Sequence, residues 1–269
     1  MKGIKFLKYL KTVNREYNIT LLSAGVSFFI IWAAIPTIYL MIQLVIASDL
    51  IPVDEVVEYV NTNLPNFLAN YINEFFSNTT VLDGFVLFTF IIIMLWGASK
   101  AFNGIMQSAE LIYHEKKVRA AFLTRALSLV ITLGFVVLFI LLIGLTFLTE
   151  DLLDQAIAYY PSLKKVFDIT RFLAFPIAVF GLLILVLAFI IPRRSSFKEQ
   201  VPGAIFITVA WYGFSYLFLI YVRDLADYQS RFGPFSSVIA LFLWVFVLSY
   251  ILLLGILLNS LLNRKKLTD

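Results

Sequence analysis

The stretch ITLLSAGVSFFIIWAAIPTIYLMIQLVI, Ile19–Ile46, holds no Asp, Glu, Lys, Arg or His. As a helix it is about 42 Å long at 1.5 Å per residue, more than the ~30 Å hydrocarbon core of a bilayer requires. A basic segment precedes it, as in a signal peptide, but the apolar run is about twice the 7–15 residues of a secretory h-region. It reads as a helix that stays in the membrane. Five further runs of similar character follow, roughly Val81–Ser99, Ala126–Thr149, Arg171–Pro192, Val201–Tyr221 and Val238–Leu262. The chain of 269 residues is 61% hydrophobic and 14% charged, against roughly 45–50% and about 25% in soluble domains. These features predict an all-α polytopic membrane protein: one domain, 1–269, with six transmembrane helices.

Lys and Arg alternate across the spans. The N-terminal segment carries Lys2, Lys5, Lys8, Lys11 and Arg15, and residues 47–80 carry none. The segment 100–125 carries Lys100, Lys116, Lys117, Arg119 and Arg125; the next inner loop has Arg193, Arg194 and Lys198; the tail has Arg264, Lys265 and Lys266. Only Lys164, Lys165, Arg171, Arg223 and Arg231 fall on the opposite side. Cytoplasmic loops are enriched in Lys and Arg, which predicts both termini in the cytoplasm. The net charge of +4 is thereby explained as a topology signal, and no nucleic-acid partner is expected.

Between the spans lie three patterned segments. Residues 1–18 place the basic side chains on one helical face and Phe6, Leu7, Leu10, Val13 and Tyr17 on the other, the pattern either of an interfacial helix on an anionic leaflet or of a simple positive-inside tail. Residues 48–80 repeat apolar side chains at steps of three and four, divided near Pro65, and predict an amphipathic outer cap; six acids between Asp49 and Asp83 would repel anions there. Residues 100–125 read as an inner helical, basic loop. With the spans so drawn, no ionisable side chain lies deep in any of them, and ion-coupled chemistry has no obvious anchor.

The spans do contain small, polar and aromatic residues. Ser23 and Ser27, four apart, form a small-xxx-small face that admits a neighbouring helix, with Gly25 between them in the chain. Pro36 removes a helical hydrogen bond in mid-membrane, either bending the helix beside a cavity or serving as a packing kink. Trp32, Trp211 and Trp244 are too deep for an interfacial belt; they either pack between helices or line a pocket for an amphiphile. Pro202 reads as a first-turn proline of the fifth span. The absence of Cys excludes disulfides, a thiol nucleophile and thiolate zinc; the single His114, expected at the surface, excludes a His-based metal site and a two-histidine nuclease. No cofactor and no metal are expected.

Three stretches resemble the YihY/BrkB family. They are Ala24-Gly25-Val26-Ser27-Phe28-Phe29 with Ala33-Ala34-Ile35-Pro36; the segment from Ile112-Tyr113 through Arg119, Arg125 and Ser128; and Pro202-Gly203-Ala204 with Trp211, Tyr221-Val222, Tyr228, Phe232-Gly233, Trp244 and Gly255 through Asn259. The resemblance implies six helices in the bacterial cytoplasmic membrane and transport of an unsettled substrate. The family was once labelled a ribonuclease, but this sequence offers no carboxylate cluster for metal-assisted phosphodiester cleavage, so no enzymatic activity is expected. Where members commonly read Gly-Ala-Glu-Leu-Asn, this chain reads Gly255-Ile256-Leu257-Leu258-Asn259, which drops an intramembrane glutamate. The expectation is a transporter or flippase-like protein for an amphiphilic or lipid-linked molecule. Ser23, Gly25, Ser27, Trp32, Pro36, Trp211 and Trp244 are its cavity candidates. Lys116, Lys117, Arg119, Arg125, Arg193 and Arg194 are candidates for anionic lipid head groups on the inner surface. The alternative is a structural or regulatory membrane protein acting through its basic inner segments and outer cap. Oligomeric state is left open.

Overall fold

A computed structural model describes residues 17–48, 53–63, 69–70, 72–74, 84–114, 126, 129–131, 133–134, 163–191, 196–222 and 236–268. Among them are the helices α1 (Ile19–Ser48), α2 (Val53–Asn63), α3 (Gly84–Tyr113), α4 (Leu163–Ile190), α5 (Phe197–Ile220) and α6 (Ser236–Thr268), and no strand. The chain is all-α. Four helices are long and apolar enough to cross a membrane: α1 over Ile19–Gln43, α3, α5, and α6 over Val238–Asn263. The apolar part of α4, Pro176–Ile190, is shorter. Most of the predicted third span lies outside the described residues, as do residues 1–16; the six described positions between 126 and 134 are helical.

α1 and α3 run antiparallel along their whole lengths. Tyr39 stacks on Phe90 near one end, with centroids 4.7 Å apart, and the Tyr17 hydroxyl lies 2.8 Å from His114 Nε2 at the other. Small residues on α3 make the approach possible. A Cβ built on Gly97 would stand 3.1 Å from the Ala33 nitrogen, and one on Gly104 would stand 3.3 Å from Val26. α6 packs against α1, α3 and α5, and α4 packs on α5. α6 is therefore the helix through which the others are joined.

The larger core lies in the cytoplasmic half of the predicted topology. It gathers Ile19 and Val26 of α1, Phe102 to Tyr113 of α3, Leu183 to Ile190 of α4, Ala204 and Ile207 of α5, and Ile251 to Leu257 of α6. A smaller cluster, Phe218 and Ala240 with Phe214, Leu241 and Trp244, joins the C-terminal part of α5 to the N-terminal part of α6.

Two boundaries differ from the sequence reading. α3 does not stop at Ser99 but continues unbroken to Tyr113. Ala101, Phe102, Ile105, Met106, Ala109 and Ile112 are buried at steps of three and four, and that buried face carries the helix past Lys100. α5 begins at Phe197, so Pro202 sits in the second turn, where its missing N–H costs the hydrogen bond to the Lys198 carbonyl.

Candidate functional site

The hydroxyls of the spans are mostly spent within their own helices. Ser23 Oγ donates to the Ile19 carbonyl (2.7 Å), Ser27 Oγ to Ala24 (2.9 Å), Thr37 Oγ1 to Ala33 (2.7 Å) and Thr208 Oγ1 to Ala204 (2.8 Å). This back-bonding removes the polar cost of burying a small residue. Ser249 is the exception: its Oγ is buried and unpartnered among the described residues. Pro36 is buried, and α1 runs through it as one helix. Gly25 faces open space, with nothing within 4 Å of a Cβ built there.

The tryptophans divide between two places. Trp211 Nε1 donates to the Leu248 carbonyl at 2.9 Å and Trp244 Nε1 to Ser215 Oγ at 3.1 Å. Both are half-buried and tie α5 to α6, which gives each indole N–H the acceptor it needs away from water. Trp32 is on the opposite side of the bundle, 48% exposed, in edge-to-face contact with Trp96 at 6.4 Å. Phe28 and Phe29 extend that aromatic group. The seven cavity candidates are thus not brought into one place. Lys116, Lys117, Arg119, Arg125, Arg193 and Arg194 lie outside the described residues.

Sequence reasoning missed two features. The first is a buried knot between α5 and α6. Gly203 N–H donates to Asn259 Oδ1 at 2.7 Å, and Asn259 Nδ2 donates to Gln200 Oε1 at 3.0 Å and to the Gln200 carbonyl at 3.3 Å. Gln200 and Asn259 are fully buried. The helices approach so closely because both contact points are glycine: a Cβ on Gly203 would lie 2.6 Å from the Gly255 carbonyl oxygen, and one on Gly255 would run into the Ile207 side chain. The family-like segments Pro202-Gly203 and Gly255–Asn259 were the available signal, since they meet here.

The second feature is a stripe on α3. Lys100, Asn103, Gln107 and Glu110 follow one another at three- and four-residue steps and so share one face of the helix, and His114, at φ 55°, stands just past its end. Lys100, Gln107 and His114 are exposed, and Asn103 and Glu110 half-buried. Among the described residues Lys100, Asn103, Gln107 and Glu110 have no hydrogen-bond or ion-pair partner. The same face continues toward the outer end as Trp96, Ile92, Thr89 and Phe85, all exposed. It is polar in its C-terminal half and almost wholly apolar in its N-terminal half.

Lys100 is far from either end of α3. Ser260 Oγ of α6 donates to the Ile112 carbonyl of α3 at 3.4 Å, which sets the level of the two helices. Twelve residues back along each, from 112 to 100 and from 260 to 248, about 18 Å at 1.5 Å per residue, Lys100 comes level with Leu248. Leu248 is where Trp211, midway along α5, makes its bond. On the other side Gly97 touches Ala33, midway along α1. The second candidate span runs over Gly84–Tyr113 and so takes in Lys100, which cutting that span at Ser99 had placed in a loop.

No solved structure matches the chain. The ribonuclease-like protein YfkH of Bacillus subtilis (strain 168) is 25% identical over 252 residues, 92% of this chain and 91% of that protein. The profile of the family described as Virulence factor BrkB matches residues 12–269, which takes in every helix named above. The chain belongs to the BrkB family of membrane proteins.

Proposed function

We propose that this protein is a transporter or flippase-like protein of the bacterial cytoplasmic membrane, with six spans and both termini inside, that moves an amphiphilic or lipid-linked molecule and catalyses no reaction. The carrying observation is the face of α3. Its polar inner half lies at the same level as Leu21 and Phe28 of α1, which are 73% and 48% exposed. Exposed leucine and phenylalanine belong against lipid, so the polar stripe stands at membrane depth rather than in the cytoplasm. Unpartnered amide and charged groups there are costly unless water or a polar head group meets them. A stripe of this kind gives a head group a polar track through half the bilayer while its chains stay in lipid. Against two-histidine nuclease chemistry stands the single histidine of the sequence.

Purified protein reconstituted into vesicles with a trace of fluorescent phospholipid tests the proposal. Redistribution of the probe between leaflets should exceed that of protein-free vesicles. Gln107→Leu should slow it several-fold without lowering the unfolding temperature. Folded protein that leaves redistribution at the protein-free rate overturns the transport reading.

A further inference from the structure

We propose that Lys100, with Trp96 and Trp32, forms a binding site at mid-bilayer depth for the anionic head group of an amphiphile; this deepens the transport reading by placing its charge-selecting point. The Lys100 ammonium lies over the Trp96 ring, 5.8 Å from its centroid. Helical side chains lean toward the helix N-terminus. In α3 that direction is outward, so the ammonium is carried about one turn away from the cytoplasm and deeper into the bundle. It points away from the Tyr113 end of α3, about 20 Å away along the helix, rather than snorkelling toward it. Two compensations for a cation at this depth are an aromatic face and an anion. Trp96 supplies the first. Among the described residues no carboxylate supplies the second.

The surroundings fit an anion with chains attached rather than a free one. Lys100 and Trp96 are exposed on the open side of the α1–α3 pair, and Trp32 and Phe28 beside them are about half exposed. One turn farther in, α1 offers Ala24 and Gly25, both exposed and small, and the space beside Gly25 is open. A head group can therefore reach Lys100 along Gln107 and Asn103 while acyl chains lie against Phe28, Trp32 and Ile92. The charge complementarity is one-sided and local: a single cation, flanked by aromatic faces, at the inner end of an apolar strip.

The test uses the full chain in detergent with either phosphatidylglycerol or phosphatidylcholine added, read by native mass spectrometry and by titration of the intrinsic tryptophan fluorescence. One phosphatidylglycerol should be held in preference to phosphatidylcholine. Lys100→Gln should weaken it by about tenfold, the size expected for losing one charge-assisted contact, and Lys100→Arg should retain it. Trp96→Leu is the second variant, expected to reduce the preference if Lys100→Gln does not yield folded protein. Equal retention of the two lipids, or an unchanged preference in folded Lys100→Gln, overturns the site. So does full displacement of the lipid by inorganic phosphate, which would make the ligand a free anion. A change of oligomeric mass in Lys100→Gln without any change in lipid retention also overturns it, since the occupant would then be a second copy. Phosphatidylglycerol held through Lys100 by a protein that redistributes no lipid would leave the site standing and remove the transport reading. Redistribution indifferent to Lys100→Gln would do the reverse.

Discussion

Asn259 settles three polar groups at once: its own amide, the Gly203 N–H and the Gln200 side chain. Pro202 sets up the arrangement, because a proline in the second turn takes one N–H out of the helix just before Gly203 offers its own sideways. Replacing Asn259 with Leu would remove the acceptor of the buried Gly203 N–H and one of the partners of Gln200, at about 1–3 kcal/mol for each group left unsatisfied, or less where other partners take over. The expected result is a clear fall in unfolding temperature in detergent, larger than that caused by Trp244→Phe, which frees only the half-buried Ser215 hydroxyl. Gly203→Ala should be worse than either. Its Cβ falls 2.6 Å from both the Asn259 Cγ and the Gly255 carbonyl, and a backbone cannot yield as a flexible side chain can. Scanning fluorimetry on the three variants orders them, and a Gly203→Ala protein as stable as the parent would contradict the close approach of α5 and α6.

At the scale of the element, α3 is one helix with two characters on one face. Because the chain has no cysteine, single substitutions report without background. Asn103→Cys and Gln107→Cys should react with a membrane-impermeant thiol reagent applied from the cytoplasmic side, and Thr89→Cys and Ile92→Cys should not. Labelling of all four, or of none, would deny the change of character at Lys100. This is also where the sequence was hardest to read. α1, α5 and α6 were legible from their runs of apolar residues, because lipid demands little besides length and hydropathy. The end of α3 was not. Lys100 looks like a loop residue to any count of positive charges, whereas the helix is continued by Phe102, Ile105, Met106 and Ile112 on the opposite face. The Gln200–Asn259 pair lies 59 positions apart, and the register of α5 on α6 that joins them is a property of packing, invisible in either segment alone. The tryptophans show the same limit. Their depth was legible, but whether they share a cavity or pin two helices was not.

For the whole molecule the topology carries the plainest prediction. Reporter fusions after residue 262 should report the cytoplasm, and fusions within 53–63 the opposite side. A cytoplasmic signal from α2 would invert the inner and outer halves on which the path along α3 depends. Two or three lysines added to residues 47–80, which have none, should impair insertion, since the charge difference across the first span is part of what orients it.

The position of α6 has a consequence for biosynthesis. It follows the other five helices in the chain, so it leaves the ribosome after them, yet it holds the acceptor for Trp211, the partner of Gln200 and the hydroxyl that meets the Ile112 carbonyl. Until it arrives, the Trp211 indole N–H of α5 lacks its Leu248 acceptor, while α1 and α3 can already pair. At that stage α3 can meet α4, but α5 is not yet tied to α6. A ribosome that stalls before residue 248 therefore leaves the Trp211 N–H unmet, and the rate at which the last helix is delivered sets how long that exposure lasts.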